Sequence, residues 1–335
     1  MIEYRTFRNN DPPKILGLWH QAGFGSGAAQ GFSCDAFDLL VFAQPYFDKR
    51  GMIVAEVDGQ AVGFVHAGFG SNVAGTELDR SRGVISAIVV HPAHRRKGIA
   101  RELVARAEAY LREQGVTEFQ AGEASSLTPF YLGLYGSSDC VGFLESDHTA
   151  APFFKSLGYQ PAERWLLFRR DITVRADPFD ARLVNIRRNM QITIRDRPPN
   201  ASWWWMTRQG RLDALWFELL PKVGGATVAS MGCWGMELHN ISRGQRTVGL
   251  YGLTVLDTER RKGYAKALLL DVIRRLREER VTHVELQFQE SNEPALGLCR
   301  WLGFQQVDAG VVYNKSANSG ASGEGQGTKE TGVKC

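Results

Sequence analysis

Two hexapeptides in this chain match at five of six positions. They are Arg95-Arg96-Lys97-Gly98-Ile99-Ala100 and Arg260-Arg261-Lys262-Gly263-Tyr264-Ala265, offset by 165 residues (260 against 95) in a chain of 335. Each follows an apolar, strand-like run, residues 84–90 in one case and 248–256 in the other. Each also opens a helical pattern. Ile99, Leu103, Val104, Ala107, Tyr110 and Leu111 recur at helical spacing, as do Tyr264, Leu268, Leu269, Val272, Ile273 and Leu276. A turn that ends a strand and opens a helix presents backbone N–H groups at the positive end of the helix dipole, a site for phosphate-like anions. Gly98 and Gly263 lack a Cβ, so an anion can approach the backbone closely. The neighbouring Arg and Lys side chains add cations around it. No GxxxxGK[ST] string and no three-glycine GxGxxG spacing occurs, so this is neither a Walker loop nor a dinucleotide fingerprint.

The elements around the turn come in one order, twice. Residues 117–121 and 283–288 read as the strand after each helix. A second, shorter helix then runs into Leu157-Gly158-Tyr159 or Leu302-Gly303-Phe304. Four matched elements in the same order mark an internal duplication. Residues 2–7 and 191–195 read as the first strand of each half. Segments 52–57 and 61–67 flank Asp58-Gly59, a hairpin signal, and 212–219 and 226–236 flank Gly224-Gly225. The expected organisation is a first domain over 1–172, a linker over 173–189 where Asp177-Pro178 interrupts the periodicity, and a second domain over 190–315. Residues 316–335, dominated by Gly, Ser, Glu, Thr and Lys, read as a disordered tail.

Composition sets the outer limits. With 44% hydrophobic and 23% charged residues the chain is an ordinary globular one, and its length predicts two domains. No run of about 18 apolar residues is present and the N-terminus lacks an apolar h-region, so neither a membrane span nor a secretory signal is expected. The five cysteines are scattered and never form a CxxC pair. That favours reduced thiols in the cytoplasm over a disulfide framework or a zinc site. A net charge of +4 is too mild for a nucleic-acid binder.

The string Ile88-Val89-Val90-His91-Pro92-Ala93-His94-Arg95-Arg96-Lys97-Gly98-Ile99-Ala100 resembles motif A of the GNAT N-acetyltransferases. Leu253-Thr254-Val255-Leu256-Asp257-Thr258-Glu259-Arg260-Arg261-Lys262-Gly263-Tyr264-Ala265 resembles it again, with Asp257 in the place of the proline. The downstream motif B is matched by Asn292, Ala295, Leu298, Leu302, Gly303 and Phe304, and in the first half by Asp147, Ala150, Phe153, Leu157, Gly158 and Tyr159. The resemblance spans nearly the whole chain outside linker and tail. It implies an α/β (α+β) protein of two tandem GNAT folds, each with a mixed, mostly antiparallel central sheet splayed in the middle and flanked by helices. It further implies acetyl-CoA as co-substrate, without a metal. The coenzyme diphosphate would lie on the turn N–H groups, with Arg95, Arg96, Lys97, Gly98, Ile99 and Ala100 in the first half and Arg260, Arg261, Lys262, Gly263, Tyr264 and Ala265 in the second. The pantetheine arm would add like a short strand to Ile88, Val89 and Val90, or to Leu253 and Val255, with Asn292 beside it. A primary amine would then attack the thioester directly in a ternary complex.

The chain departs from the family at one position. The tyrosine that protonates the leaving thiolate falls on Phe154 and Cys299 here. Phe154 cannot donate a proton, which leaves Cys299 as a possible acid or as core packing. The first half carries about 20 extra residues, since Gly98 to Gly158 spans 60 and Gly263 to Gly303 spans 40. This insertion, 125–146, is aromatic. It reads either as an amine pocket in which Tyr131 or Tyr135 replaces the missing acid, or as a lid over the interface between halves. Glu123 is the candidate base through a water, and Glu290 stands in a similar place in the second half. Trp203-Trp204-Trp205 reads as packing. The expectation is a cytoplasmic N-acetyltransferase, monomeric or homodimeric, acting on a small-molecule or peptide amine, with catalysis in the first half and no nucleic-acid or membrane partner. The alternative is a CoA-binding regulatory or scaffold protein without turnover.

Overall fold

The computed structural model describes residues 1–124 and 127–317. The start of the aromatic insertion, at 125–126, and the tail from 318 lie outside the described residues. The strands are β1 Ile2–Thr6, β2 Met52–Val57, β3 Gln60–Ser71, β4 Leu78–Val90, β5 Glu118–Ala121, β6 Phe143–Leu144, β7 Gln160–Asp171, β8 Met190–Arg195, β9 Ala214–Pro221, β10 Ala229–Gly235, β11 Thr247–Val255, β12 His283–Gln289 and β13 Gln305–Ser316. They form one continuous sheet in the order β1-β2-β3-β4-β5-β13-β7-β12-β11-β10-β9-β8, with the short β6 paired to β13. Only β4–β5 and β11–β12 run parallel. Asp58 and Gly59 both take positive φ, as a two-residue hairpin turn between antiparallel strands requires.

The two halves exchange their last strands. β13, from the second half, pairs with β5 of the first (Tyr313 opposite Ala121), and β7, from the first, pairs with β12 of the second (Phe168 opposite Leu286). β7 and β13 then pair with each other at the centre. Apolar patterning follows the exchange. Leu166 and Phe168 of β7 are buried in the core under helix Tyr264–Glu278, whereas Val311 and Tyr313 of β13 are buried in the core under helix Ile99–Glu113. Each such side chain is worth roughly 1.5–3 kcal/mol when fully buried, so each strand is anchored in the other half's core.

The sheet parts at two places, where the sequence pattern puts the repeated turn. β4 pairs with β5 only as far as Ile85–Ala121 yet runs on to Val90. β11 pairs with β12 only to Gly249–Glu285 yet runs on to Val255. Each long strand also shifts register at this point, past Ser86 in β4 and at Gly252 (φ +63°) in β11. A β-bulge there re-aims the backbone at the edge of the gap.

The segment 173–189, expected as a linker, contains a helix, Ala181–Asn189. Asp180 caps it by accepting the Arg182 N–H at 3.1 Å, and Leu183 packs into the second core.

Candidate active site

The two repeated turns have one backbone conformation. Arg95 has φ −67°, ψ 160° and Arg260 has φ −64°, ψ 156°. Arg96 and Arg261 both cross to positive φ, 63° and 64°. Gly98 (φ 80°, ψ −5°) and Gly263 (φ 92°, ψ 4°) then start helices Ile99–Glu113 and Tyr264–Glu278. A left-handed conformation costs a residue with a side chain roughly 1–2 kcal/mol, so two arginines held there at matched positions mark strain kept for a purpose. The resulting concave run of N–H groups at a helix start is an anion cradle.

The surroundings of the two cradles differ. A Cβ built on Gly98 meets nothing within 4 Å. Arg95 holds the Val90 carbonyl (3.1 Å) and that of Ala22, and Lys97 holds the Ala93 carbonyl (3.1 Å), so these two cations brace the loop. In the second half Arg260 pairs with Asp257 (2.5 Å) and Lys262 with Glu259 (3.0 Å), which offsets two of its three charges. Gly263 is half-buried, and its Cβ position lies 3.3 Å from Ile186 Cδ1 of the helix that precedes β8.

Beyond the parting points the exposed faces diverge. On the helix side Ile88 and Val90, like Leu253 and Val255, are half-exposed beside each turn. On the opposite face Ala87 and Val89 of the first half are buried in a cluster with Trp19, Phe37, Phe130 and Tyr131. Offset by 165 residues, Gly252 and Thr254 of the second half are exposed, with Trp216 half-buried beside them.

The sequence candidates in the first half come together in this sealed region. Glu123 is buried; its carboxylate accepts the Phe130 N–H (3.0 Å) and the Cys140 thiol (3.3 Å). Burial pushes it up to about 8, against the lowering pull of the Arg208 charge and these donors. That value suits a base near neutral pH, but Phe130 covers it. The Tyr131 hydroxyl meets His66 Nδ1 at 3.1 Å, and its ring stacks on Trp19 at 5.7 Å. Burial pushes His66 down to about 3, so it stays neutral. Tyr135 accepts the Leu144 N–H at 3.0 Å. Both phenols are thus engaged, Tyr131 by His66 of β3 in a packed core and Tyr135 by Leu144 at the base of β6.

The motif B positions are structural. Phe154 is fully buried between Phe143 and Tyr313. Cys299, expected as a possible acid, has no exposed surface and lies in the second core, and burial pushes its thiol up to about 12, so it is packed away from solvent and is a poor proton donor. Asn292 caps helix Glu293–Trp301 by accepting the Ala295 N–H at 3.3 Å. Glu290 is held by Arg164, which also grips the matching Glu145 (2.8 Å) of the first half, so it is an ion-pair partner on the surface. Sequence reasoning passed over His66, Ser138 and Trp216. Only Trp216 left a signal, as a tryptophan on the polar phase of a strand. Among the described residues no helix is long and apolar enough to cross a membrane, and no group of three or more His, Cys, Asp or Glu is placed to hold a metal ion.

A parted sheet with a bare-backbone anion cradle at each gap, present twice, defines a tandem acyltransferase architecture. The chain belongs to the acetyltransferase (GNAT) family, whose family model matches residues 28–133 and 185–304, one stretch in each half. It is 27% identical over 334 residues to the mycothiol acetyltransferase of Salinispora arenicola, covering 91% of this chain and 94% of that one. In fold it is similar to the tandem GNAT protein of the clavulanic acid biosynthesis pathway (TM-score 0.66, 17% identity, 95% of this chain and 99% of that one). It is also similar to a GCN5-related N-acetyltransferase from Sphaerobacter thermophilus (TM-score 0.60, 18% identity, 94% and 96%).

Proposed function

We propose that the protein transfers an acetyl group from acetyl-CoA to a primary amine, with coenzyme on both turns and transfer in the second half. One observation carries the reading: the same strained, glycine-started helix turn stands beside a parted strand in each half. The N–H groups of 96–100 and 261–265 would take the diphosphate, and the unpaired edges of β4 and β11 would hydrogen-bond the pantetheine amides. The far face decides where an amine enters. It is exposed at Gly252 and Thr254 and sealed over Ala87 and Val89. The sealed half favours a second role there, coenzyme held without turnover, and moves transfer away from the half the insertion suggests. No phenol stands at the Cys299 position, so the thiolate, with a conjugate acid near pKa 8.5 like other thiols, leaves unassisted.

Titration calorimetry with acetyl-CoA tests binding: Gly98→Glu and Gly263→Glu are each expected to remove one of two sites. A thiol-release assay against an amine panel tests transfer, which Gly263→Glu should abolish and Gly98→Glu should spare. Acetyl-CoA binding that ignores both substitutions would overturn the reading.

A further inference from the structure

The chain passes from the first half to the second just beyond the end of β7, and three guanidinium groups meet one carboxylate there. Asp177 accepts from Arg170 (3.0 Å), from Arg277 (3.0 and 3.2 Å) and from Arg274 (3.4 Å). Arg274 shares a second carboxylate, Asp271, with Arg187. Four cations therefore face two anions. The Arg170 side chain is 5% exposed. Its Nη2 also reaches the Ala176 carbonyl at 3.3 Å, while Nη1 is buried with no hydrogen-bond partner among the described residues. A buried cationic donor left unpaired is costly, and natural structures seldom leave one without a partner.

Arg170 lines a cavity of about 390 Å³, whose wall also includes Arg169, Arg300, Trp301, Val307 and Pro178. Its single acid, Asp171, is already engaged: Oδ1 accepts the Thr173 N–H (2.8 Å) and hydroxyl (2.6 Å). Arg169 is committed to Glu285. The negative end of helix Glu293–Trp301 opens here; Arg300 in its last turn offsets that dipole and stands 3.6 Å from Glu293, a pair exposed to solvent on both sides. What remains without a partner among the described residues is Arg170 Nη1.

We propose that this cavity binds a small oxyanion, a phosphate or carboxylate on an apolar body, at a site separate from the two turns. Arg170 Nη1 and the rim cation Arg300 supply charge-assisted hydrogen bonds, and Trp301, Val307 and Pro178 enclose the apolar part. The proposal does not depend on acetyl transfer.

The test uses the full chain carrying Gly98→Glu and Gly263→Glu, so that phosphate cannot report from the turns. Calorimetry with phenyl phosphate, benzoate and inorganic phosphate should give saturable one-to-one binding to at least one of the first two, at least tenfold tighter than inorganic phosphate. Phenyl phosphate against benzoate distinguishes the two head groups. Arg170→Gln should abolish the binding. Arg300→Ala and Val307→Asp, both at exposed positions, should each weaken it at least tenfold, and they read the site even if Arg170→Gln does not fold. Absence of saturable binding to all three probes, or binding indifferent to Arg300→Ala and Val307→Asp, would overturn the proposal.

Discussion

Ser138 of the first half donates a hydrogen bond of 2.7 Å to the carbonyl of Leu250 in the second. Leu250 is the first β11 residue beyond the ladder with β12, so the first half's insertion reaches the point where the second half's sheet parts. Ser138 also contacts Gln287 on β12, and its own carbonyl accepts the Trp234 indole N–H at 2.9 Å. One residue thus ties both sides of the second gap to the first half. Ser138→Ala leaves the Leu250 carbonyl without that donor, and should cost about 1 kcal/mol. A urea titration should show a lower midpoint at unchanged slope; an unaltered midpoint would mean that water replaces the hydroxyl at no cost.

The two turn glycines should respond unequally to alanine. Both need positive φ, which costs an alanine roughly 1–2 kcal/mol. At Gly98 the new methyl enters open space, whereas at Gly263 it comes to 3.3 Å from Ile186 and must push the helix Ala181–Asn189. Thermal unfolding should therefore place Gly263→Ala below Gly98→Ala. The reverse order would contradict the packing of that helix on the turn.

Glu123 makes stability depend on pH in a defined direction. Its carboxyl titrates near 4.5 in an unfolded chain and is pushed up to about 8 in the fold by burial. The folded state therefore binds the proton more tightly, and its stabilising contribution is complete below pH 4.5. It falls as pH rises toward 8 and is gone above that, a loss on the order of 5 kcal/mol at most. Glu123→Gln should lack this component. The difference in unfolding free energy between wild type and variant should shrink or change sign between pH 5 and 9, and a difference independent of pH would refute the buried, protonated carboxyl.

Strand exchange predicts that neither half folds alone. A fragment of residues 1–172 keeps β7 but loses β12, its partner, and leaves β5 without β13. Expressed separately, 1–172 and 173–335 should aggregate or remain unfolded, while co-expression should yield a soluble complex. Two independently soluble, cooperatively unfolding fragments would argue against the exchange.

Much of this was legible in the sequence because it is local. The 165-residue offset, the strand–turn–helix frame and the Asp58-Gly59 hairpin all follow from spacing and turn chemistry within a few residues. The helix over 181–189 was also within reach, since Asp180 is a capping residue, Leu183 and Ile186 are spaced for one face, and Arg187 and Arg188 close the last turn. Partner choice was not. The alternation in β7 and β13 says that each strand has a buried side and is silent on which core receives it, since Leu166 would pack as well under either helix layer. The catalytic candidates misled for a related reason. Glu123, Tyr131 and Tyr135 have reactive groups at plausible spacing, but the insertion that carries the two tyrosines folds inward, and burial depends on contacts distant in sequence.

The crossed strands separate where damage is inflicted from where it is felt. A frameshift after residue 304 leaves the second half its turn, its parted strand and both flanking helices, and removes β13 from beneath Phe154 and Tyr159 in the first. A lesion at 160–171 would conversely strip the wall next to β12 from a site encoded about 80 to 100 codons later. Genetic dissection by truncation would therefore assign each loss of activity to the wrong lobe, whereas point substitutions at Gly98 and Gly263 report on the lobe in which they lie.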